Sequence, residues 1–294
     1  MLLVVILYAL LALTFPLSQF ALYYSKPVFL IAFRMLLAGV LLLGYYRIVR
    51  GRIQVDKKDW WLFIKTSLFY IYLAFIPEFW ALQYVSSLKT TIMFSLTPFI
   101  TAFFEYFLLH YRFSREKIAG MFVGTLGFIP LLVLPNTQCL PFGTCSVQLL
   151  PEIMLMIAIT SGAYAWFLVK ELNKKGYSLI LINGVTMLLG GFMSLITHLV
   201  TSPLSELPVS DVPRFLFYTF ALIGISNVIV YNLYGSLLKK YSATFLSLAG
   251  FLSPIFGTVY AWLFFQERLS WHYFVSFILI SLGLWMFYQG EKNS

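Results

Sequence analysis

The sequence predicts an all-α integral membrane protein with ten transmembrane helices, arranged as two inverted five-helix repeats. Three observations predict this fold: an apolar composition, apolar runs of membrane-spanning length, and an internal repeat. Of the 294 residues, 61% are hydrophobic and only 11% are charged, whereas soluble domains carry about 25% charged residues. So little charge cannot cover a soluble surface, which excludes a soluble domain, a disordered chain and a disulfide scaffold.

The apolar runs are long enough to cross a bilayer, which takes about 20 helical residues. They are much longer than the ~10-residue alternating segments of an outer-membrane barrel. The predicted helices occupy residues 2–23, 27–48, 60–82, 87–109, 115–134, 151–171, 178–200, 213–237, 243–265 and 270–288. The first run lacks a basic leader and a clean cleavage site, so we expect a retained helix and not a signal peptide.

Basic residues alternate between the loops. The loops after helices 2, 4, 6 and 8, together with the C-terminus, hold 14 of the 20 Lys and Arg residues, and the opposite loops hold 4. Because cytoplasmic loops carry the excess of positive charge, both termini are predicted to be cytoplasmic in the cell (inner) membrane. The net charge of +9 then reflects topology and contact with anionic lipid, and no nucleic acid partner is expected.

The chain resembles itself at an offset of 156 residues, where 84–128 fall on 240–284 without a gap. The positions that match include Pro98 and Pro254, Arg112 and Arg268, Ser114 and Ser270, and Gly127 and Gly283. An offset of five helices is odd, so the second copy crosses the membrane in the opposite sense. The sequence thus predicts repeats at 1–135 and 151–294, joined by an external loop at 136–150.

Two pairs of residues in this layout suggest local roles. Pro98 and Pro254 each free a backbone carbonyl inside the membrane, which suits a hinge or a cavity lining, although both could simply kink packed helices. In the external loop, Cys139 and Cys145 flank a segment with proline and glycine. An oxidising exterior would permit a disulfide there, and two free thiols are the alternative.

The residue pattern resembles the drug/metabolite transporter superfamily, specifically EamA-type transporters. The segments that carry the resemblance are 80–87 (WALQYVSS), 95–98 (SLTP), 241–244 (YSAT), 252–254 (LSP), 265–270 (FQERLS), 32–34 (AFR) and 231–232 (YN). The likeness covers nearly the whole chain as two EamA-like repeats. One departure is His110 after helix 4, where the family often has a glutamate; the second copy keeps Glu267. The resemblance implies alternating access, usually without ATP.

Polar side chains inside the predicted helices are candidates for substrate binding, because ionisable groups are costly at membrane depth. Glu78 follows Pro77 and could bind a substrate cation or carry a proton; a structural ion pair with Arg34 or Lys65 is the alternative. Arg34 could clamp a carboxylate or phosphate, or snorkel to the interface. The full set of candidates is Ser18, Gln19, Arg34, Glu78, Tyr164, Trp166, Asn183, Asn227, Tyr231 and Asn232.

Together these patterns predict a secondary transporter of small polar or amphipathic metabolites. By family analogy amino acids are the leading substrates, and S-adenosylmethionine or another nucleotide-like cation is the alternative. A membrane-embedded lipid-modifying enzyme is disfavoured because no paired acids, His/Asp set or metal motif is present. The expected partners are a small-molecule substrate, the lipid bilayer and, as a candidate coupling ion, the proton. We expect neither cofactor nor metal.

Overall fold

The computed structural model describes residues 2–109, 114–127, 129–130, 149–202, 207–237, 240, 246, 249–250, 252–266 and 270–292. Within these residues the regular structure is helical, with no strand. Seven of the described helices are long and apolar enough to cross a membrane, and shorter apolar helices lie at Leu252–Phe265 and Trp271–Phe287. The prediction of an all-α integral membrane fold is therefore confirmed. Cys139 and Cys145 lie outside the described residues.

The helix bounds follow the apolar runs of the sequence. The helices are α1 (Leu2–Leu22), α2 (Pro27–Arg50), α3 (Trp60–Ser67 and Leu73–Ala81), α4 (Ser87–Phe94 and Thr97–Leu109), α5 (Arg115–Leu126), α6 (Leu150–Lys174), α7 (Leu179–Thr201), α8 (Val212–Leu222 and Tyr231–Leu237), α9 (Leu252–Phe265) and α10 (Trp271–Lys292). A 3₁₀ turn, Lys57–Asp59, precedes α3.

Four of these helices begin at a side chain that caps their first turn. The oxygens of Ser86, Ser114, Ser178 and Asp211 accept from backbone N–H groups three residues later, at 3.1–3.3 Å. Such caps satisfy N–H groups that have no partner within the helix. The polar breaks between apolar runs thus fix where α4, α5, α7 and α8 start.

Both α3 and α8 are interrupted by a π-helical segment. The segment in α3 is Leu68–Tyr72, and the one in α8 is Ile223–Val230. A π segment widens the helix and changes which side chains point at a neighbouring helix, and such segments are frequent at functional sites. Here they carry Tyr70 and Asn227.

The largest buried apolar cluster joins residues of α2, α3, α6, α7 and α8. Small residues bring pairs of helices together at two places. A Cβ on Gly39 of α2 would stand 2.8 Å from the backbone nitrogen of Leu188 in α7, and one on Gly283 of α10 would meet the backbone of Gly124 in α5. Large apolar side chains such as Ile48, Trp61 and Val200 cover the outside, as a lipid-facing surface requires.

Candidate functional site

The buried arginine of α2 is the centre of the candidate site. Arg34 is only 1% exposed, so it does not snorkel to the interface. Its Nε donates to Oδ1 of Asn227 at 2.8 Å, and its guanidinium carbon lies 5.2 Å from the ring centroid of Phe75 and 5.7 Å from that of Phe79. Its Nη2 is buried and has no hydrogen-bond partner among the residues that the structure describes. A buried unpaired donor is costly, so this nitrogen is an open position for an acceptor.

The carboxylate of α3 lies close to this arginine without being joined to it. Glu78 is buried, one residue after Pro77, and its charge acts on that of Arg34. No described Lys or Arg nitrogen lies within 4.0 Å of the carboxylate. The ion pair considered from the sequence, with Arg34 or Lys65, is therefore absent from the described residues. The site thus holds a guanidinium and a carboxyl group that are not joined, and each keeps capacity for a further partner.

Asn227 is placed by the π segment of α8 and held on both sides. Its Oδ1 accepts from Arg34, while its Nδ2 lies 3.3 Å from Sδ of Met35 and 3.5 Å from Sδ of Met187. Sulfur is a weak acceptor, so the amide is oriented mainly by the arginine. Asn227 orients Arg34 without neutralising it, because the amide carries no charge.

Aromatic rings of α3, α6 and α8 form one side of the site, and we call them the aromatic wall: Tyr70, Phe75, Trp166, Tyr231 and Tyr234. Ring centroids are 5.3 Å apart for Tyr70 and Trp166, 5.2 Å for Tyr70 and Tyr231, and 4.6 Å for Trp166 and Tyr234. Most of these pairs are tilted or edge-to-face, an arrangement that aromatic rings prefer. Rings of this kind can stack on a planar ligand or contact a cationic one.

A chain of amides extends the polar part of the site. The Tyr70 hydroxyl donates to Oδ1 of Asn183 at 3.5 Å, and Nδ2 of Asn183 donates to Oδ1 of Asn232 at 3.5 Å. Nδ2 of Asn232 donates to the carbonyl of Val228 at 2.8 Å. Both bonds of Asn183 are long, so its amide is free to change partners when a ligand binds.

The structure brings together six of the ten residues predicted from the sequence: Arg34, Trp166, Asn183, Asn227, Tyr231 and Asn232. Glu78 joins them through its charge. Ser18 and Gln19 are buried on α1, but no described residue links either of them to this group by a hydrogen bond. Tyr164 packs elsewhere, 4.9 Å from Phe69 between ring centroids.

The two predicted hinge prolines each lie near the start of a helical stretch. In α4 the helix is interrupted at Ser95 and Leu96, and Pro98 is the second residue of the stretch that follows. Pro254 is the third residue of α9 and is buried. Their role as hinges stays a prediction.

Sequence reasoning missed several residues of the site, among them Tyr70, Phe75, Phe79 and Tyr234. One signal was available, because Tyr234 lies three residues after Tyr231, a spacing that places both on one face of an α-helix. For Tyr70 no such signal exists, since its direction depends on the π segment.

A multi-pass helical membrane protein with buried, incompletely paired charges beside an aromatic wall has the construction of a membrane transporter for small molecules. The comparisons with known proteins specify the family. The EamA-like transporter family matches residues 1–133 and 149–289, and the chain belongs to that family. It is a transporter and not an enzyme.

Curated relatives cover most of the chain. The S-adenosylmethionine/S-adenosylhomocysteine transporter of Chlamydia muridarum is 30% identical over 257 residues, covering 86% of this chain and 80% of the relative. The protein of the same name from Chlamydia trachomatis serovar L2 is 31% identical, covering 86% and 78%. Protein PecM of Dickeya dadantii is 26% identical, covering 88% and 82%. A solved crystal structure, 17% identical, covers 100% of this chain and 96% of its own with a TM-score of 0.65, which shows the fold alone.

Proposed function

We propose that this chain is a secondary transporter of S-adenosylmethionine and S-adenosylhomocysteine. The observation that carries the proposal is the buried guanidinium of Arg34, whose Nη2 has no partner in the described part of the chain. It lies beside the carboxyl group of Glu78, which forms no ion pair there either. Two unjoined opposite charges suit a ligand with both a carboxylate and an ammonium group. The names of the Chlamydia relatives support this substrate class.

In this proposal each part of the substrate has a partner in the site. The substrate carboxylate accepts from Nη2 of Arg34, replacing the missing acceptor with a charge-assisted hydrogen bond. The ammonium, or the sulfonium of S-adenosylmethionine, lies next to Glu78. Adenine stacks on the aromatic wall, where planar rings bind without a fixed hydrogen-bonding pattern. S-adenosylhomocysteine lacks the sulfonium charge and keeps the other three groups.

Transport by alternating access follows from the proposed architecture of ten helices in two inverted repeats, 1–135 and 151–294, joined by the loop 136–150. The π segments support this architecture, because each occurs in the third helix of its proposed repeat. Substrate bound between repeats of opposite orientation can be exposed to either side when they rock against each other. We place both termini in the cytoplasm and the protein in the inner membrane, as the distribution of basic residues favours.

Uptake by purified protein in liposomes tests the substrate. We expect uptake of labelled S-adenosylmethionine without nucleotide, and competition by unlabelled S-adenosylhomocysteine. Methionine alone and adenosine alone should compete more weakly, because each lacks one part of the ligand. No uptake and no binding of either compound by folded protein would overturn the proposal.

The variant Glu78→Gln separates the roles of this carboxylate. It keeps the shape of the side chain and removes its charge, so a contact with a substrate cation predicts weaker binding at every pH. A role in proton coupling instead predicts loss of the pH dependence of transport with binding retained. Glu171→Gln is the matched control, since Glu171 is exposed at the end of α6. Parent-like transport by Glu78→Gln across pH would make Glu78 structural.

A free amino acid is the second candidate substrate, because Arg34 and Glu78 alone suffice for a zwitterion. This alternative leaves the aromatic wall without a ligand group to contact. Strong competition by methionine together with none by adenosine would favour it over the nucleoside-containing substrates.

A further inference from the structure

A lateral groove lies outside the candidate site, between α3, α4 and α6. Its volume is about 650 Å³, within the ~300–1,000 Å³ typical of ligand pockets. The walls are almost wholly apolar and include Phe69, Leu73, Phe104, Ile153, Ile157 and Tyr164. Along α6 the groove extends from Leu149 to Tyr164, which at the helical rise is about 22 Å. An elongated apolar groove of this length fits an extended hydrocarbon chain.

One end of the groove carries a positive charge that the described protein does not neutralise. Nζ of Lys65 lies 5.3 Å from the ring centroid of Tyr164, and no described acidic side chain forms an ion pair with it. Lys65 belongs to α3 and lies about two turns from the start of the membrane-spanning stretch at Lys57. A cation at that depth requires an anion or a path to the interface.

The acid at the other end of the groove does not oppose an anionic ligand. Glu152 lines the groove there, but its Oε1 lies 2.6 Å from Nζ of Lys89, and both side chains are almost fully buried. The pair is therefore neutral overall. Glu152 is the acid among the described lining residues and is balanced by Lys89, whereas Lys65, beside the other end, forms no ion pair with a described acidic side chain.

We propose that this groove is a binding site for one anionic phospholipid. An acyl chain lies along the apolar walls, and the phosphate contacts the ammonium of Lys65. This contact holds the lipid headgroup beside α3. The lipid site and the substrate site both contact the π segment of α3, since Phe69 lines the groove and Tyr70 belongs to the aromatic wall.

Native mass spectrometry of the purified chain, titrated separately with dioleoylphosphatidylglycerol and dioleoylphosphatidylcholine, tests the proposal. We expect the parent to bind the glycerol lipid more tightly. A lysine close to an anionic lipid surface contributes about 1 kcal/mol, so Lys65→Gln should weaken that binding about fivefold and leave the choline lipid unchanged. Lys58→Gln is the matched control, because it removes the same charge from an exposed side chain near the start of the same helix.

A second variant tests the groove independently of the charge. Thr160 lines the groove and is exposed, so Thr160→Trp should fill the groove and weaken binding of the glycerol lipid with Lys65 intact. Equal affinity of the parent for both lipids, or equal binding of the glycerol lipid by parent and Lys65→Gln, overturns the proposal. If Lys65→Gln does not fold, unchanged lipid binding by Thr160→Trp overturns it. These readouts need no substrate, so they stand apart from the proposed transport function.

Discussion

Two buried cations of this protein differ in how their positive charge is compensated. Arg34 and Lys89 are each 1% exposed. Nζ of Lys89 lies 2.6 Å from Oε1 of Glu152, so its counter-charge is part of the fold. Arg34 instead donates to the neutral amide of Asn227, and one of its nitrogens has no partner within the described ranges. The difference distinguishes a structural charge, which the protein itself neutralises, from a charge that a bound ligand can neutralise.

Breaking the structural pair gives the largest expected effect. Glu152→Gln leaves the charge of Lys89 buried beside a neutral amide, and removing one partner of a buried pair costs about 3–5 kcal/mol. We expect a large drop in thermal stability, measured by unfolding in detergent. Glu171→Gln serves as the control, and the apolar double variant Lys89→Met with Glu152→Leu should recover most of the loss. A drop no larger than that of the control would contradict the comparison.

Arg34→Lys should weaken substrate binding and destabilise the fold less than Glu152→Gln does. The substitution keeps the positive charge but removes the planar fork that donates to Asn227 and to the substrate carboxylate. Loss of a hydrogen bond to a charged group costs about 1.5–3 kcal/mol, so substrate affinity should fall about 10- to 100-fold. Calorimetric titration measures this loss, with Arg47→Lys, an exposed position on the same helix, as the control. Parent-like affinity would show that Arg34 is as structural as Lys89.

A smaller effect is expected at Ser161, whose hydroxyl donates at 2.8 Å to the carbonyl of Phe69 in the π segment of α3. This bond supports the segment that orients Tyr70, so Ser161→Ala should cost about 0.5–1.5 kcal/mol. We expect part of the cost to appear as a raised KM for transport, while Ser161→Thr, which keeps the hydroxyl, behaves like the parent. An equal rise in KM and an equal loss of stability in both variants would assign the effect to packing alone.

The smallest effect is expected at an ion pair whose lysine side chain is 41% exposed, although its aspartate is buried. Nζ of Lys175 lies 2.6 Å from Oδ1 of Asp59, and this hydrogen bond raises the pKa of Lys175 above its ordinary value of 10.5. A raised pKa contributes its full stabilisation at pH values below the ordinary pKa of lysine. This contribution is lost only as the pH rises through the raised pKa of the folded protein. Lys175→Gln should therefore change the melting temperature little, and by the same amount at about pH 6 and about pH 9. A difference between those two pH values would contradict this.

Much of the fold is readable from the sequence, because apolar runs and polar breaks set the helix bounds independently of packing. The start of α2 at Pro27 and of α4 at Ser87 agree with the prediction. It is harder to predict which side of each helix faces the protein interior, because the helices are apolar all round and show no periodic apolar stripe. Tyr164 and Trp166 illustrate this: two positions apart, they cannot face the same way on a helix, and only Trp166 reaches the aromatic wall.

The partners of Arg34 depend on tertiary structure in the same way. Asn227 is 193 positions away in the chain, and its direction depends on a π segment that no residue pattern announces. The sequence could indicate that a buried arginine needs an acceptor. It could not indicate that the acceptor is a neutral amide, which gives the positive charge of Arg34 no counter-charge.

The π segment of α3 also has a consequence for how the chain tolerates changes in length. A π turn amounts to one more residue than an α turn between the same flanking faces. Deleting a single residue within Leu68–Tyr72 would return α3 to a continuous α-helix, with Trp60–Ser67 and Leu73–Ala81 still on their present neighbours. Most one-residue deletions rotate everything beyond them by about 100°. At this position a deletion removes the extra residue of the π turn, so the loss of one residue can reshape the binding surface while the rest of the bundle keeps its register.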